Sequence, residues 1–525
     1  MIRKPYPIIF SLFPVLFLWG NLSKEEIVIW HTIIPSILFS LAIALSIWGI
    51  IALAVRSNSD KGAFLASFLT MFILAYGHVH ATLYSLSPLV GRHRIIVPFF
   101  ASIYALSFYL TKKSPHSFHN VTKVLNYTAL FLLIIPIWNI AYYSHSSSAF
   151  NTRRIDSANI GAASNTQNLV KRDIYYFILD GYAGQHTLSD IYEFNNDTFL
   201  NNLKEQGFYV ADDSNSNYRT TPLSIASSLN YDYLDNLNNY YSDITDETLE
   251  EGTIGNLLTL GANSRLQSFL KTQGYYLLNF NSGKGATGWG GSAAQWDKNI
   301  HCSEVTSQLH MVFYNTTMFG SFDIDLNFDD LTPDYYLRDN ERTRILCPLD
   351  NVAYVKKYSS KPMFVLAHII APHPPYVFGA NGEEVNDGTL SLTGQAVWND
   401  REGYLNQLQF INKKIVHVVD TLLEQSRVKP IIVIQADHGP ASLEDIDNPT
   451  YLSLSERMGI LNAYYFPDRN WNGLYPSITP VNSFRVILNN YFDQDLPYLP
   501  DRMFYQASED SSDLALVEIT NILRP

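Results

Sequence analysis

Pro430-Ile431-Ile432-Val433-Ile434-Gln435-Ala436-Asp437-His438-Gly439-Pro440 is an apolar, β-branched run that ends in an acid, an imidazole and a Gly-Pro breaker. A short run of this composition, stopped so abruptly, predicts a buried strand. In an open parallel sheet, ligands collect just beyond the carboxyl ends of the strands, which is where Asp437 and His438 fall. A hard carboxylate oxygen beside a borderline imidazole nitrogen suits zinc or manganese. The fold and the function both turn on what else reaches that edge.

Asp173-Ile-Tyr-Tyr-Phe-Ile-Leu-Asp180-Gly181-Tyr182 has the same form and predicts the first strand of the sheet, with Asp180 at the same edge as Asp437. Taken alone, an aspartate before glycine also reads as an ordinary turn at a strand end. Further strands are expected at Gly207–Ala211, Tyr275–Phe280 and Met363–His368, with helices at about 190–206, 262–273 and 403–425. The last helix carries Leu405, Leu408, Ile411, Ile415, Val418, Val419 and Leu422 at helical spacing. Strands alternating with amphipathic helices imply an α/β domain with a mostly parallel sheet.

The chain has 525 residues, too many for one ordinary core, and its apolar residues are unevenly spread. Five apolar segments, at about 6–20, 31–55, 63–82, 95–111 and 124–143, predict an N-terminal α-helical transmembrane bundle. The first segment is the weakest of them and has some features of a signal peptide, although no small-residue cleavage site follows. Arg3, Lys4, Arg56, Lys61, Lys112, Lys113 and Lys123 fall in loops on one side, against Lys24, Arg92 and Arg94 on the other. The positive-inside rule then puts the N-terminus in the cytoplasm and everything after residue 145 outside it. Residues 1–145 are expected to form the membrane domain, 146–170 a linker rich in Ser, Asn and Ala, and 171–525 an extracytoplasmic catalytic domain. His78 and His80, near the end of the third span, read as interfacial polar residues.

A formal net charge of −13 with no basic stripe excludes a nucleic-acid partner. Cys302 and Cys347 lie outside any metal-ligand spacing, and in an extracytoplasmic domain they are candidates for a disulfide, with two separate thiols as the alternative.

Three more stretches carry chemistry. In Asn217-Tyr-Arg-Thr220-Thr221-Pro222-Leu223-Ser224, Thr221 before a proline reads as a helix N-cap. A hydroxyl at a helix N-terminus is also where a phosphoryl group is stabilised by N–H groups and the dipole, and a nearby divalent cation makes it a nucleophile. On the residues alone the two readings are equal. Ala367-His368-Ile-Ile-Ala-Pro372-His373-Pro374-Pro375-Tyr376 holds His373 on a proline-stiffened loop, suited to protonating or orienting a phosphoryl oxygen. His368 reads as a buried structural histidine, or as a contact to substrate or a second metal. His301, Trp289 and Trp296 fall in or beside a glycine-rich stretch, 283–291, read as a loop closing over substrate. Arg485, in a closing helix, either faces the site or is structural.

Taken in order, Asp180, the Thr221-Pro-Leu-Ser helix start, His373 and Asp437-His438-Gly439 resemble the alkaline phosphatase and sulfatase superfamily over about residues 170–500. With five spans ahead of them, they look like the lipoteichoic acid synthases and the lipid A phosphoethanolamine transferases. The resemblance implies an alkaline phosphatase-like fold, Asp180, Thr221, Asp437 and His438 as metal ligands, Thr221 as the nucleophile and His373 as the substrate-facing histidine. It implies transfer of a phospholipid headgroup, of phosphoglycerol or phosphoethanolamine type, to an envelope glycan or lipid-linked acceptor at the cytoplasmic (inner) membrane. Those transferases present Glu where this chain has Asp180, and their additional cysteines are absent. Sulfatases need a Cys or Ser in a C-x-P-x-R-like motif, whereas Cys302 is followed by Ser-Glu-Val, which disfavours sulfatase chemistry. A hydrolase using the same site, or an inactive relative that binds lipid, are the competing expectations.

Overall fold

The computed structural model describes residues 4–22, 33–55, 60–87, 89–141, 170–234, 261, 263–282, 295–302, 313–314, 316–321, 333–385, 398–446, 448–506 and 516–524. The chain divides into two compact units, one of residues 1–146 and 305–336, the other of residues 147–304 and 337–525.

In the first unit all five expected apolar segments are helical: α1 (Tyr6–Leu22), α2 (Ile34–Ala54), α3 (Asp60–Leu86), α4 (His93–Lys113) and α5 (His119–Leu132). Four stretches, Ile34–Ala54, Asp60–Tyr84, His93–Lys113 and His119–Ala141, are long and apolar enough to cross a membrane, while Tyr6–Gly20 is shorter. Along α2 several small residues face inward while large apolar ones face outward, although Ile51 is buried. Ser36, Ser40 and Ala44 of α2 are buried, whereas Ile50 and Leu53 are 66% and 80% exposed. Small residues inside and large apolar ones outside are what close helix packing in a lipid solvent requires. The Ser40 hydroxyl donates to the Ser11 carbonyl across the α1–α2 contact, so its polarity is spent within the bundle.

The second unit runs β1 (Ile174–Leu179), α6 (Gln185–Asp190), α7 (Asp197–Glu205), β2 (Phe208–Val210), α8 (Thr221–Asn230), α9 (Arg265–Thr272), β3 (Tyr276–Asn281), β4 (Lys298–His301), α10 (Pro333–Asn351, entering the unit at Leu337), β5 (Met363–Ile369), α11 (Arg401–Gln425), β6 (Ile431–Gln435), α12 (Tyr451–Met458), β7 (Asn462–Tyr465) and α13 (Pro480–Phe492). A separate ribbon pairs β8 (Phe504–Gln506) with β9 (Leu516–Glu518). The main sheet has the order β2-β7-β6-β1-β5-β3-β4. It is parallel apart from β7, which runs antiparallel to β6 and to β2.

β1 sits at the centre because it is apolar on both faces, as a strand covered on both sides must be. Phe177 and Leu179 share a core with Leu408, Ile411 and Val419 of α11. Tyr176, on the other face, meets Phe484 of α13 edge-on at 5.1 Å and bonds Ser228 of α8. Register levels the strand ends: Ile178 lies opposite both His368 of β5 and Gln435 of β6. The residues that follow these three strands therefore emerge together.

Of the expected 190–206 helix only Asp197–Glu205 forms; a separate short helix ends at Asp190, and between them Glu193 adopts a positive φ of 43° and Asn195 accepts from the Asp197 N–H. Cys302 and Cys347 are joined as a disulfide.

Candidate active site

Asp180 leaves β1 with its N–H still donating to Ile369 of β5 at 3.0 Å, and its carbonyl accepts from the His373 N–H at 3.0 Å. That second bond draws the proline-rich loop over the strand end. Gly181 follows at φ 72°, and a Cβ there would come within 2.7 Å of the Trp398 ring. Only glycine satisfies both conditions.

Asp437 and His438 leave β6 beside it. Asp437 Oδ1 accepts from the N–H groups of Gly181 (3.2 Å) and His438 (3.0 Å), which aims Oδ2 at the opening between the strands. His438 donates its Nδ1–H to the Gly439 carbonyl at 3.0 Å, so the lone pair is on Nε2. Nε2 lies 3.0 Å from Thr221 Oγ1, 3.3 Å from Asp437 Oδ2 and 3.7 Å from Asp180 Oδ1. Gly439 is also required, because a Cβ there would stand 2.1 Å from the Glu456 carbonyl oxygen.

Thr221 is not the helix cap. Thr220 occupies that position with extended backbone, φ −119° and ψ 148°, and makes no side-chain cap bond among the described residues. Thr221 is the first helical residue, followed by Pro222, and its hydroxyl is turned to His438 instead of to its own helix. One turn on, the Ser224 hydroxyl donates to the Asp437 carbonyl at 2.7 Å, and Ser216 donates to the same oxygen. These bonds lock α8 to the end of β6.

His368 joins the same cluster. Its ring is fully buried with Nε2 3.4 Å from Asp180 Oδ2, so it stands with the carboxylates. Asp180, His368 and Asp437 each offer a ligand atom, all within 4.8 Å of one another. Asp180 Oδ1 and Asp437 Oδ2 are buried with no hydrogen-bond partner among the described residues. Two facing buried carboxylates must bind a cation or share a proton. Carboxylate oxygens, imidazole nitrogens and a hydroxyl together make a donor set that fits a divalent metal.

The electrostatics follow from this crowding. Burial pushes the Asp437 carboxyl up to about 6, with the neighbouring Asp180 charge acting in the same direction. For Asp180 burial also pushes upward, but His373 and the contact with His368 outweigh it and hold the carboxyl well below its usual range. Burial, with the positive charge of Arg457 nearby, takes His438 down to about 3 and keeps it neutral, as a ligand must be.

His373 closes the site from above. Its Nδ1–H donates to the Pro374 carbonyl at 2.6 Å, its ring meets Trp398 edge-on at 4.8 Å and lies 6.5 Å from the His438 ring. His301 is not brought here: it ends β4 at the outer edge of the sheet, with β3 between it and β5. Trp289 lies outside the described residues, and Trp296 stacks on Phe364 of β5. Arg485 is structural, donating to the Tyr231 and Pro497 carbonyls. Sequence reading missed Trp398, Arg219, Glu444 and Arg457. Arg219 alone carried a signal, two positions before Thr221; the others are isolated residues with no motif around them.

A family model described as sulfatase matches residues 176–484. No curated protein matches the chain. Among solved structures, the C-terminal periplasmic domain of EptC from Escherichia coli in complex with zinc is 12% identical, with a TM-score of 0.42 over 67% of this chain and 94% of that one. The soluble domain of lipooligosaccharide phosphoethanolamine transferase A from Neisseria meningitidis is 12% identical, at 0.35 over 62% and 89%. The integral membrane form of that transferase is 11% identical, at 0.36 over 97% of each chain.

Proposed function

The chain belongs to the sulfatase family, in the alkaline phosphatase-like superfamily, and from that premise we propose that it transfers a phospholipid headgroup to an envelope acceptor through a phosphothreonine at Thr221. The observation that carries this reading is Thr221 Oγ1, released from capping its helix and held 3.0 Å from His438 Nε2 beside two buried carboxylates. A hydroxyl in that position serves as a nucleophile.

Asp180, Asp437, His438 and Thr221, with His368 added, are the residues that would hold zinc or manganese. When bound, the metal lowers the pKa of a coordinated hydroxyl and neutralises charge on a phosphoryl oxygen. Thr221 Oγ, its proton released to solvent, forms a bond to the phosphorus of the lipid phosphodiester as the bond from phosphorus to the diacylglycerol oxygen breaks. His373, protonated at Nε2 while its Nδ1–H stays on the Pro374 carbonyl, delivers the Nε2 proton to that departing oxygen. In the second half a hydroxyl of a glycan or lipid-linked acceptor gives its proton to His373, attacks the phosphothreonine and frees Thr221. Covalent linkage to apolar helices keeps the site with its lipid donor. On this reading the helices are multi-pass in the inner membrane, with residues 1–145 as anchor, 146–170 as linker and the domain from 171 on the outer side.

The test is incubation of the full-length protein with vesicles of phosphatidylethanolamine or phosphatidylglycerol, followed by mass spectrometry of the Thr221 peptide. A phosphoethanolamine or phosphoglycerol adduct on Thr221, absent from Thr221→Ala, is the expected result. Labelling by neither lipid overturns the transferase reading, and release of free headgroup without acceptor turnover makes the protein a hydrolase.

A further inference from the structure

The nucleophile and the metal ligands come from separate stretches of chain, and a buried arginine ties the two together. Arg457, in the last turn of α12, is 8% exposed. Its Nε donates at 2.9 Å to the carbonyl of Arg219, two residues before Thr221. Its Nη1 donates at 2.9 Å to the carbonyl of Gly439, the residue after His438. The Gly439 oxygen is the same one that accepts the His438 Nδ1–H and so sets that ring. The guanidinium also lies 5.9 Å from the Trp398 ring, which in turn braces His373.

We propose that Arg457 is the positioning residue for transfer, holding the Thr221 backbone at a fixed distance from the His438 end of β6. The proposal rests on Thr221 being the nucleophile. Burying a guanidinium is costly, and here one bond goes to main chain of the Thr221 stretch and the other to main chain next to His438. The planar fork allows both bonds from one rigid group; a lysine ammonium in its place is a single flexible point. Arg219 reinforces the same loop through its ion pair with Glu444.

Full-length Arg457→Gln and Arg457→Lys proteins test this with two readouts. The first needs no substrate: in cobalt(II)-loaded protein, the visible absorption bands report whether the Thr221 oxygen is in place. The Arg457→Gln spectrum is expected to match that of Thr221→Ala at undiminished cobalt content, with Arg457→Lys intermediate. An Arg457→Gln spectrum identical to wild type overturns the proposal, as does loss of cobalt in step with the change. The second readout is turnover of whichever lipid labels wild-type Thr221. For Arg457→Gln kcat should fall about 100-fold with KM within about threefold, and for Arg457→Lys about tenfold. A rise in KM at unchanged kcat would mean that Arg457 binds substrate and positions nothing. Should Arg457→Gln not fold, the Arg457→Lys spectrum decides alone. Failure of wild type to label with either lipid counts against the transferase reading and leaves the cobalt result to judge Arg457.

Discussion

The two ends of α8 each meet a buried aspartate cluster, and the two clusters are built on opposite rules. At the C-terminal end Asp232 is 3% exposed and is met by Arg265 Nη1 at 3.3 Å, Arg485 Nη2 at 3.7 Å and the Tyr233 N–H at 2.9 Å. Both guanidinium groups also lie over the Tyr231 ring, at 4.4 and 5.9 Å, and Arg485 bonds the Tyr231 carbonyl where the helix stops. Cations at a helix C-terminus complement its dipole. At the N-terminal end Asp180 and Asp437 are as deeply buried, at 3% and 2%, yet each keeps an oxygen without a hydrogen-bond partner among the described residues. Burial of a carboxylate therefore does not mark a reactive site in this chain; what sets the N-terminal end apart is two neighbouring carboxylates that each keep an unsatisfied oxygen.

The contrast is broken most severely by Thr221→Ala. Removing the hydroxyl that only the N-terminal cluster uses should lower transfer by at least about 10⁴-fold, more than 5 kcal/mol of transition-state stabilisation. The unfolding midpoint should stay within a degree or two, because the hydroxyl caps nothing. Loss of activity together with loss of fold would mean that the two ends do the same structural work. Asp232→Asn makes the reverse test. It leaves two buried guanidinium groups short of their charge partner and should cost about 3–4 kcal/mol in denaturant unfolding, with bound metal per chain unchanged.

Asp437→Asn comes next. In chelated protein the folded-state carboxyl, at about 6, is raised above its ordinary value of 3.8. Asp437 thus contributes stability that is complete below pH 4 and is lost as pH rises through 6. The gap between wild type and Asp437→Asn should fall by about 2–3 kcal/mol across that window, measured as the difference between two denaturant series. With metal restored the trend should vanish for wild type, while Asp437→Asn should bind metal poorly at every pH. A gap that widens with pH would show that Asp437 is already satisfied by cationic neighbours, as Asp232 is.

The site was more legible in sequence than its surroundings. Asp180, Asp437 and His438 announced themselves because each follows an uninterrupted apolar strand, and that pattern survives without any tertiary information. The α11 stripe was equally plain from its spacing. β7 escaped because it is four residues long and begins with Asn462, whose amide is buried against Ser214 and Ile478. His368 was ambiguous because a strand histidine is placed by register: only its pairing opposite Ile178 brings it to the end of β1, two residues before Asp180. Arg457 could not be seen at all, since its partners are carbonyls of Arg219 and Gly439, and a carbonyl leaves no trace in residue type.

Thr220→Ala makes the smallest and sharpest test of the contrast between the helix ends. In an ordinary helix the cap hydroxyl is worth about 1 kcal/mol, because it accepts from an N–H that would otherwise go unsatisfied. Thr220 holds the cap position without making that bond among the described residues, and Pro222, just inside the helix, has no N–H to satisfy. Its replacement by alanine should therefore shift stability by less than about 0.5 kcal/mol and leave Thr221 labelling within about twofold. Thr221→Ala beside it should abolish labelling at the same stability. If Thr220→Ala instead costs a full capping energy, the helix start is being held by side chain in the usual way. The freedom of Thr221 to face His438 would then depend on its neighbour as well as on Arg457.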